Sequence, residues 1–443
     1  MRTYRELFAV TEFRAVFIAQ CLTNAAAAAG SLALGTVTYA ATGNAALTGL
    51  SMFGGPLVRL AASWLTASAS DMLRPRQALM AVAAVTCAAD LLQAVPGMPW
   101  GARFAFLALP WIAMAATGGA MLALVSDILP RDSYVFGRAT LNVAVGGMQV
   151  AGYGLGGLLL VALTTPGLFL LAAAASGCAV LVVLAGVANH PPRVAGQSLV
   201  RRSRAVNRAL LGSPLLRPVF IAGCVPNGLV VGCESLFVPF GGHEAGYLLA
   251  VAAAGMLAGD ILVGRVLPAQ ARTWLIEPLR FLLAAPYVAF LLHPPLAAAL
   301  ALSFLASAGY AASLPLQERL LAHTDAGVRG QVLGLYSTGT MAMQGVAAVL
   351  AGLLAGRLGG GPAGASAAIG AFGCASLAVT VALIPGLRRT RPGRDPRPAR
   401  AAANRRRWGG PRSPDLGRDA RPTAESRADS TVPAAAAPRP RPS

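Results

Sequence analysis

The sequence predicts an all-α integral membrane protein with twelve transmembrane helices in two pseudo-symmetric six-helix bundles. Its 443 residues are 56% hydrophobic and only 12% charged, about half the charged fraction of a soluble domain. Many windows of roughly 20 residues, the length of a helix that crosses the hydrocarbon core, carry few or no charges. All 36 basic residues are arginines, and those that precede the last apolar segment concentrate in alternate gaps between the apolar segments.

The first half of the chain contains six expected spans. Each is an apolar run that ends at turn-forming or charged residues, as at Gly43, Pro96 and Pro166. The first run is long enough to span the membrane and follows charges of both signs, so we expect no cleavable signal peptide. The spans cover residues 15–40, 45–69, 76–95, 104–126, 137–163 and 167–188.

The widest gap between spans, residues 189–217, divides the chain into two halves. It contains six arginines and no acidic residue. Residues 199–211 either form a basic amphipathic helix on the inner leaflet or belong to an unstructured linker. We therefore expect a first bundle at 1–188, a basic cytoplasmic loop at 189–217 and a second bundle at 218–386.

The second half contains six further spans and repeats part of the first. Met148 and Gln149 align with Met343 and Gln344, within a stretch of twelve positions of which six match. A repeat related by an axis along the membrane normal is typical of transporters. The spans cover residues 218–240, 246–266, 275–292, 296–316, 328–356 and 363–385.

The net charge of +19 has two sources. About half lies in residues 387–443, which are too poor in apolar residues to form a core, so we expect a disordered cytoplasmic tail. The rest lies mainly in short loops, where arginine is retained in the cytoplasm and contacts anionic lipid. Both termini are therefore expected on the inner side of the cell membrane. No stacking aromatic residues accompany the basic runs, so no nucleic-acid partner is expected.

The sequence lacks the motifs of several classes of active site. The chain has no lysine, which excludes a Gly-x-x-x-x-Gly-Lys-Ser/Thr phosphate loop and an ATP-driven pump within this chain. Its four histidines form no His-Glu-x-x-His motif, and its six cysteines form no Cys-x-x-Cys pair. We expect no enzymatic activity, no cofactor and no metal site.

Three charged residues, Arg59, Asp90 and Glu234, lie deep within expected spans. A charge there costs roughly 2.5–3.5 kcal/mol, so each is a candidate functional residue. A carboxyl group among apolar side chains can exchange a proton near neutral pH, which makes Glu234, and after it Asp90, candidates for proton coupling. Arg59 can compensate a carboxylate or bind an anionic substrate group. The alternative for each residue is a structural ion pair between helices. Arg280 lies one turn inside the ninth span, and we expect it to pair locally with Glu277 near the cytoplasmic interface.

Uncharged polar residues in the spans extend the candidate cavity. Gln149 and Gln344 occupy equivalent repeat positions and can face each other across it. Hydrogen bonding between helices is the equally common alternative. The candidate cavity residues are Arg59, Asn24, Gln149, Asn227 and Gln344.

The loop between the second and third spans carries a recognisable motif. Residues 67–77 read Ala-Ser-Ala-Ser-Asp-Met-Leu-Arg-Pro-Arg-Gln, which resembles the Gly-x-x-x-Asp-Arg-x-Gly-Arg-Arg loop of the major facilitator superfamily. Asp71 and Arg76 fit this motif, whereas Met72 and Arg74 depart from it. The chain resembles the family over about residues 1–386. The resemblance implies a secondary transporter in which two halves rock around a central site.

The same loop predicts a cytoplasmic gate. An acid at the cytoplasmic end of a helix can pair with an arginine of a neighbouring helix in one conformation only, here Asp71 with Arg138. The alternative is a solvated ion pair worth about 0–1 kcal/mol. The expected gate residues in the two halves are Asp71, Arg76, Arg138, Asp260 and Arg265.

The fifth span carries Gly-Tyr-Gly-Leu-Gly-Gly at residues 152–157. It is similar to the Gly-Pro-x-x-Gly-Gly signature of the family's drug/proton antiporters, with Tyr153 in the place of the proline. Gly152, Gly156 and Gly157 permit close helix approach, and a plain packing face is the alternative. The resemblance therefore predicts proton-coupled efflux of a small organic molecule by a monomer. The alternatives are an uptake permease of the same fold and a non-transporting membrane sensor or scaffold.

Overall fold

The structure is a computed structural model that describes residues 4–66, 74–117, 120–190, 208, 210–324 and 329–390. All regular secondary structure in these ranges is helical. The helices of the first half are α1 (Tyr4–Ala9), α2 (Thr11–Thr42), α3 (Ala45–Phe53), α4 (Gly55–Thr66), α5 (Pro75–Gln93), α6 (Trp100–Thr117), α7 (Ala120–Ile128), α8 (Arg131–Ala162) and α9 (Thr165–Gly186).

The second half continues with the same architecture. Its helices are α10 (Leu216–Glu234), α11 (Phe237–Gly241), α12 (Ala245–Ile261), α13 (Ala269–Trp274), α14 (Ile276–Val288), α15 (Leu296–Ala308), α16 (Ser313–Ala322), α17 (Arg329–Arg357) and α18 (Gly361–Arg388). A π-helical turn, Leu262–Val266, follows α12, and short 3-10 turns follow α11, α14 and α15. Each of the twelve expected spans corresponds to one helix or one interrupted helix.

Interrupted helices explain why not every span is obvious from apolar length. Seven helical segments of the described chain are long and apolar enough to cross a membrane, or eight if the bent pair α3–α4 counts as one span. One segment, Leu216–Val266, is 51 residues long and contains two spans. The pair α3–α4 bends by 55° at Gly54, just before Pro56. The remaining spans are shorter or less apolar.

The two halves are built alike and meet along two seams. In the first half, α2 packs against α8 and α9, and α5 packs against α6 and α9. In the second half, α10 packs against α17 and α18, and α14 packs against α15 and α18. Between the halves, α8 contacts α12 and α3 contacts α17. The seams therefore join the fifth span to the eighth and the second span to the eleventh.

Glycines on α8 allow close packing on two sides of this helix. A Cβ on Gly152 would lie 2.7 Å from the Ala25 carbonyl oxygen, and one on Gly156 would lie 3.4 Å from the Ala29 Cα. A Cβ on Gly157 would lie 2.7 Å from the Cα of Gly246. Gly152 and Gly156 therefore pack α8 within the first half, whereas Gly157 packs it against the second half.

Helices extend beyond the apolar runs at several points. Helix α2 begins at Thr11 rather than residue 15, and α16 carries the tenth span to Ala322 rather than residue 316. Polar residues at these ends are helical in the structure. Hydropathy left them out of the expected spans, because it detects only the part of a helix that lies in hydrocarbon. Most of the basic loop, including nearly all of the expected amphipathic segment, lies outside the described residues.

The last helix continues past residue 386, where the second bundle was expected to end. Helix α18 runs to Arg388, and the side chains of Leu387 and Thr390 are buried. The Arg319 guanidinium donates hydrogen bonds to the Leu387 carbonyl at 3.0 Å and to the Thr390 hydroxyl at 3.5 Å. Residues 387–390 therefore belong to the second bundle. Residues 391–443 lie outside the described chain.

Candidate functional site

A cavity of about 480 Å³ lies inside the first half, lined by α2, α3, α4, α5, α6, α7 and α9. Its walls are mainly apolar and include the rings of Phe106, Trp111 and Phe169. Three predicted residues, Arg59, Asp90 and Asn24, line this cavity. The sequence had suggested a site between the halves, but this cavity is bounded by helices of the first half alone.

Arg59 enters the cavity from the second part of the bent span. Helix α4 begins at Gly55, and a Cβ there would overlap the Trp111 ring. This close approach of α4 to α6 places Arg59 beside the cavity wall. Its side chain is half-buried. A guanidinium at this depth has to meet a carboxylate, a ligand or water.

Asp90 enters the cavity from α5. A Cβ added to Gly30 of α2 would lie 3.4 Å from one Asp90 carboxylate oxygen, so the small residue leaves room for this side chain. The other oxygen, Oδ2, is buried and has no hydrogen-bond partner. Within the described part of the chain, neither Asp90 nor Arg59 forms an ion pair with any residue, including each other. The cavity thus contains two unpaired charges of opposite sign.

The neutral polar residues around the cavity mostly bond to nearby backbone. The Asn24 amide donates to the Gln20 carbonyl at 2.7 Å, and the Thr23 hydroxyl donates to the Ala19 carbonyl at 2.7 Å. The Thr86 hydroxyl donates to Val82, in the same way. These three groups use their donors within their own helices. Gln20 also lines the cavity, and its side-chain amide makes no hydrogen bond within the described residues, so the unmet polar groups are one neutral amide and the charged side chains of Arg59 and Asp90.

A smaller cavity of about 180 Å³ lies at the seam between the halves. Arg59 lines this cavity as well as the larger one. The opposite wall carries Ser337, Thr338 and Met341 of α17. Arg59 therefore lies where the first-half cavity approaches the second half.

Glu234 lies at the end of α10 inside the second half. The Ser307 hydroxyl of α15 donates to Glu234 Oε1 at 3.2 Å. Tyr287 and Tyr310, both largely buried, are close enough to interact electrostatically with the carboxyl group. The carboxyl therefore lies among hydroxyl groups of the second half, and does not line the cavity that holds Arg59 and Asp90.

Arg280 is a buried cation, although the sequence placed it near the membrane interface. It lies on α14, is 1% exposed, and its Nε and Nη2 atoms have no hydrogen-bond partner in the described chain. Tyr310 and Tyr336 are among its electrostatic neighbours. The sequence suggested a local pair with Glu277 near the membrane interface. The spacing of these residues in the sequence could have indicated the burial of Arg280. It shares one helix face with three apolar residues, and all four are buried: Arg280, Leu283, Ala284 and Tyr287.

The other predicted cavity residues lie elsewhere. Gln149 on α8 and Gln344 on α17 are half-buried, and Asn227 on α10 is 7% exposed with its side-chain oxygen unpaired. None of the three lines either of the two cavities. Their place in a substrate path stays a prediction.

The predicted gate residues have varied surroundings. Asp71 lies outside the described residues, and Arg138 is exposed on α8. The Arg76 guanidinium donates to the Leu184 carbonyl, which ties α5 to α9. One carboxylate oxygen of Asp260, at the end of α12, is buried without a hydrogen-bond partner. The expected latch between Asp71 and Arg138 therefore stays a prediction.

Arg265 makes a contact that the sequence did not predict. Its guanidinium donates to the Tyr4 hydroxyl at 2.5 Å and lies 5.8 Å from the centre of that ring. Tyr4 belongs to the short helix α1 of the first half, and Arg265 belongs to the π-helical turn after α12. This contact joins the two halves at the end of the molecule that carries Arg76.

Neither the models of known protein families nor the curated proteins give a match to this chain. Solved structures do match. One is a POT family transporter in complex with a thioalcohol-conjugated peptide, with a TM-score of 0.66 and 12% identity over 85% of this chain and 96% of that one. Another is a bacterial homologue of the human lysosomal transporter Spinster, inward-facing and unoccupied, with a TM-score of 0.63 and 15% identity over 94% and 100%.

A D-xylose–proton symporter also matches, with a TM-score of 0.61 and 11% identity over 85% of this chain and 97% of that one. These matches cover both halves but do not single out the drug/proton antiporter branch. Identities this low carry information on architecture rather than on substrate. The chain has the twelve-helix fold of the major facilitator superfamily transporters.

Proposed function

We propose that this protein is a secondary transporter that moves a small organic molecule across the cell membrane by alternating access. The observation that carries the proposal is the cavity with Arg59 and Asp90, which form no ion pair within the described residues. Two uncompensated charges at membrane depth are costly, and their retention is explained by a ligand that binds them. The fold supports the proposal, since its structural neighbours are transporters.

The transport step is proposed to be driven by protons through Glu234. The Ser307 hydroxyl supports one carboxylate oxygen, and no arginine forms an ion pair with Glu234 in the described chain. A carboxyl without a fixed counter-charge can gain or lose a proton as its access to water changes. Asp90 is the second candidate for this role. It shares its cavity with Arg59, which favours ligand binding.

Movement of the halves is proposed to occur at the two seams, α8 with α12 and α3 with α17. Each seam includes a close pair of small residues, Gly157 with Gly246 and Gly352 with Ala46, so the helices approach backbone to backbone at these points. Close contacts of this kind allow the helices to shift there with little rearrangement of side chains. The end with Arg76 and Arg265 is the proposed cytoplasmic side, where arginine-rich loops contact anionic lipid. The predicted gate residues act at this end.

Efflux is the direction that the glycine motif of α8 favours, and uptake is the second candidate. The observation that favours uptake is the likeness to a proton symporter. The positions of Gly152, Gly156 and Gly157 explain the motif by helix packing, which is compatible with either direction.

Reconstitution tests the proposed function. The purified full-length chain would be placed in liposomes loaded with a pH-sensitive dye, and a diverse panel of small molecules would be added. We expect at least one compound to drive proton movement that a protonophore abolishes. Movement of protons in the same direction as the compound indicates uptake by symport, and opposite movement indicates efflux. Compound flux that is unaffected by the proton gradient would overturn the coupling.

A further inference from the structure

Building on the proposed function, we propose that the cavity in the first half binds a small zwitterion. In this arrangement an anionic group of the ligand pairs with Arg59, a protonated amine pairs with Asp90, and a compact apolar body fills the space between them. The proposal goes beyond a general substrate cavity because it names the chemical class that the cavity recognises.

The first argument is the separation of the two charges. Arg59 and Asp90 line one cavity but do not form an ion pair. A purely anionic ligand would neutralise Arg59 and leave Asp90 uncompensated, and a purely cationic ligand would do the reverse. Leaving a buried charge without a partner is strongly unfavourable. A ligand with both charges compensates both residues while remaining neutral overall.

The second argument is that the cavity offers few free hydrogen-bonding groups. Asn24, Thr23 and Thr86 use their side-chain donors within their own helices. A polyhydroxyl ligand such as a sugar would have few partners for its hydroxyl groups, and an unpaired buried hydroxyl costs about 1–3 kcal/mol. The polar recognition available here is concentrated at the two charged side chains, with the side-chain amide of Gln20 as a neutral addition.

The third argument is size and wall composition. The volume of about 480 Å³ lies in the lower half of the range for small-molecule pockets, roughly 300–1,000 Å³. Phe106, Trp111 and Phe169 contribute aromatic walls between the polar residues. An arginine guanidinium binds a carboxylate or phosphate in a bidentate manner, which orients the anionic end of the ligand.

Arg59 also places the anionic group of the ligand close to the second half. Because it lines the seam cavity opposite Ser337 and Thr338, the anionic group bound to Arg59 lies next to α17. Ligand binding in the first half can therefore bias the packing of the seam. This position connects recognition of the anionic group with the movement of the halves.

The test is an equilibrium binding measurement on the full-length protein in detergent, with probes that differ only in charge. The zwitterionic probes are straight-chain amino acids from 4-aminobutanoate to 8-aminooctanoate. Each zwitterion is compared with the alkylamine and the alkanoate of the same chain length, which carry only the positive charge and only the negative charge, respectively. We expect at least one zwitterion to bind at least about tenfold more tightly than both of its single-charge analogues.

Variants assign the two ends of the ligand. Arg59→Gln is expected to reduce the affinity for the zwitterion to that of the alkylamine, and Asp90→Asn to that of the alkanoate. Arg272→Gln and Glu318→Gln are matched controls, since these residues pair with each other at 2.8 Å outside the cavity. Both controls should keep the preference for the zwitterion. Melting curves of every variant establish that it is folded.

Three outcomes would overturn the proposal: no binding of any zwitterion, equal or tighter binding of a single-charge analogue, or a preference that survives both cavity variants. The proposed function fails separately. A zwitterion preference without substrate flux in liposomes would contradict transport and leave the ligand class intact. Flux of another chemical class without the preference would contradict the ligand class and leave transport intact.

Discussion

Gly157 of α8 and Gly246 of α12 bring the two halves of the protein into backbone contact. A Cβ on Gly157 would lie 2.7 Å from the Gly246 Cα, closer than a side chain can approach without displacement. The same helix carries Gly152 against α2 of its own half. One glycine-rich helix therefore belongs to a bundle and to the seam at once, which makes it the natural place to test movement of the halves.

Replacement of Gly157 by alanine is expected to separate the seam and slow transport. The added methyl group meets backbone that cannot rotate away, and overpacking of this kind costs about 1–3 kcal/mol. Gly147→Ala is the matched control on the same helix, because nothing lies within 4 Å of its Cβ position. We expect reduced flux and a lower melting temperature for Gly157→Ala only. Equal flux in the two variants would show that the seam does not constrain the cycle.

The contact between Tyr4 and Arg265 predicts a shift in the conformational equilibrium. Tyr4→Phe removes the hydrogen bond but keeps the ring, whereas Tyr4→Ala removes both interactions with the guanidinium. Because Arg265 is exposed, the effect should be about 0–1 kcal/mol. We expect labelling of cysteines introduced at this end to rise from wild type through Tyr4→Phe to Tyr4→Ala. Unchanged labelling in Tyr4→Ala would show that the contact does not hold the halves together.

Arg280 and Arg319 are both buried but differ in their hydrogen bonds, so a comparison of the two tests how hydrogen bonding changes the effect of a buried cation on stability. Arg280 has two nitrogen atoms without hydrogen-bond partners, whereas Arg319 is held by the Leu387 carbonyl and the Thr390 hydroxyl. An uncompensated buried charge destabilises the folded state, so its replacement by an apolar residue of similar size should not lower stability. We expect Arg280→Met to keep or raise the melting temperature while lowering flux, and Arg319→Met to lower the melting temperature. Equal destabilisation by both would show that Arg280 is structural.

The contacts at the end of α18 predict how much of the C-terminal tail can be removed without loss of stability. Truncation after Thr390 keeps the contacts of Leu387 and Thr390 with Arg319, whereas truncation after Gly386 removes both. We expect the longer truncation product to keep the melting temperature and the flux of the full chain. The shorter product should melt at a lower temperature. Loss of flux in the longer product at equal abundance would assign a role to residues 391–443.

The sequence predicted the spans well because hydropathy depends on composition within a short window. The paired Met-Gln sequences at residues 148 and 343 correctly indicated two related halves, since they lie on α8 and α17, the fifth span of each. The 55° bend between α3 and α4 was not predicted. At this bend Gly55 packs against Trp111, a residue far away in the sequence, and a contact of this kind is not visible in a local window.

The candidate site was predicted only in part. Arg59, Asp90 and Asn24 were identified because polar residues are rare within apolar spans, and they share one cavity. Their separation from Glu234 depends on how the two bundles pack, which composition does not encode. Arg280 was placed too near the surface, because distance from the end of an apolar run is a poor measure of burial in an interrupted helix.

The most direct test of the central claim is to measure two kinds of flux in Glu234→Gln. The variant keeps an acceptor oxygen for Ser307 but has no titratable proton, and Glu318→Gln is the control for a carboxylate outside the bundle core. With a substrate identified by the liposome screen, we predict that Glu234→Gln loses gradient-driven accumulation but retains substrate exchange without a gradient. Gradient-driven accumulation at the wild-type rate would contradict proton coupling through Glu234.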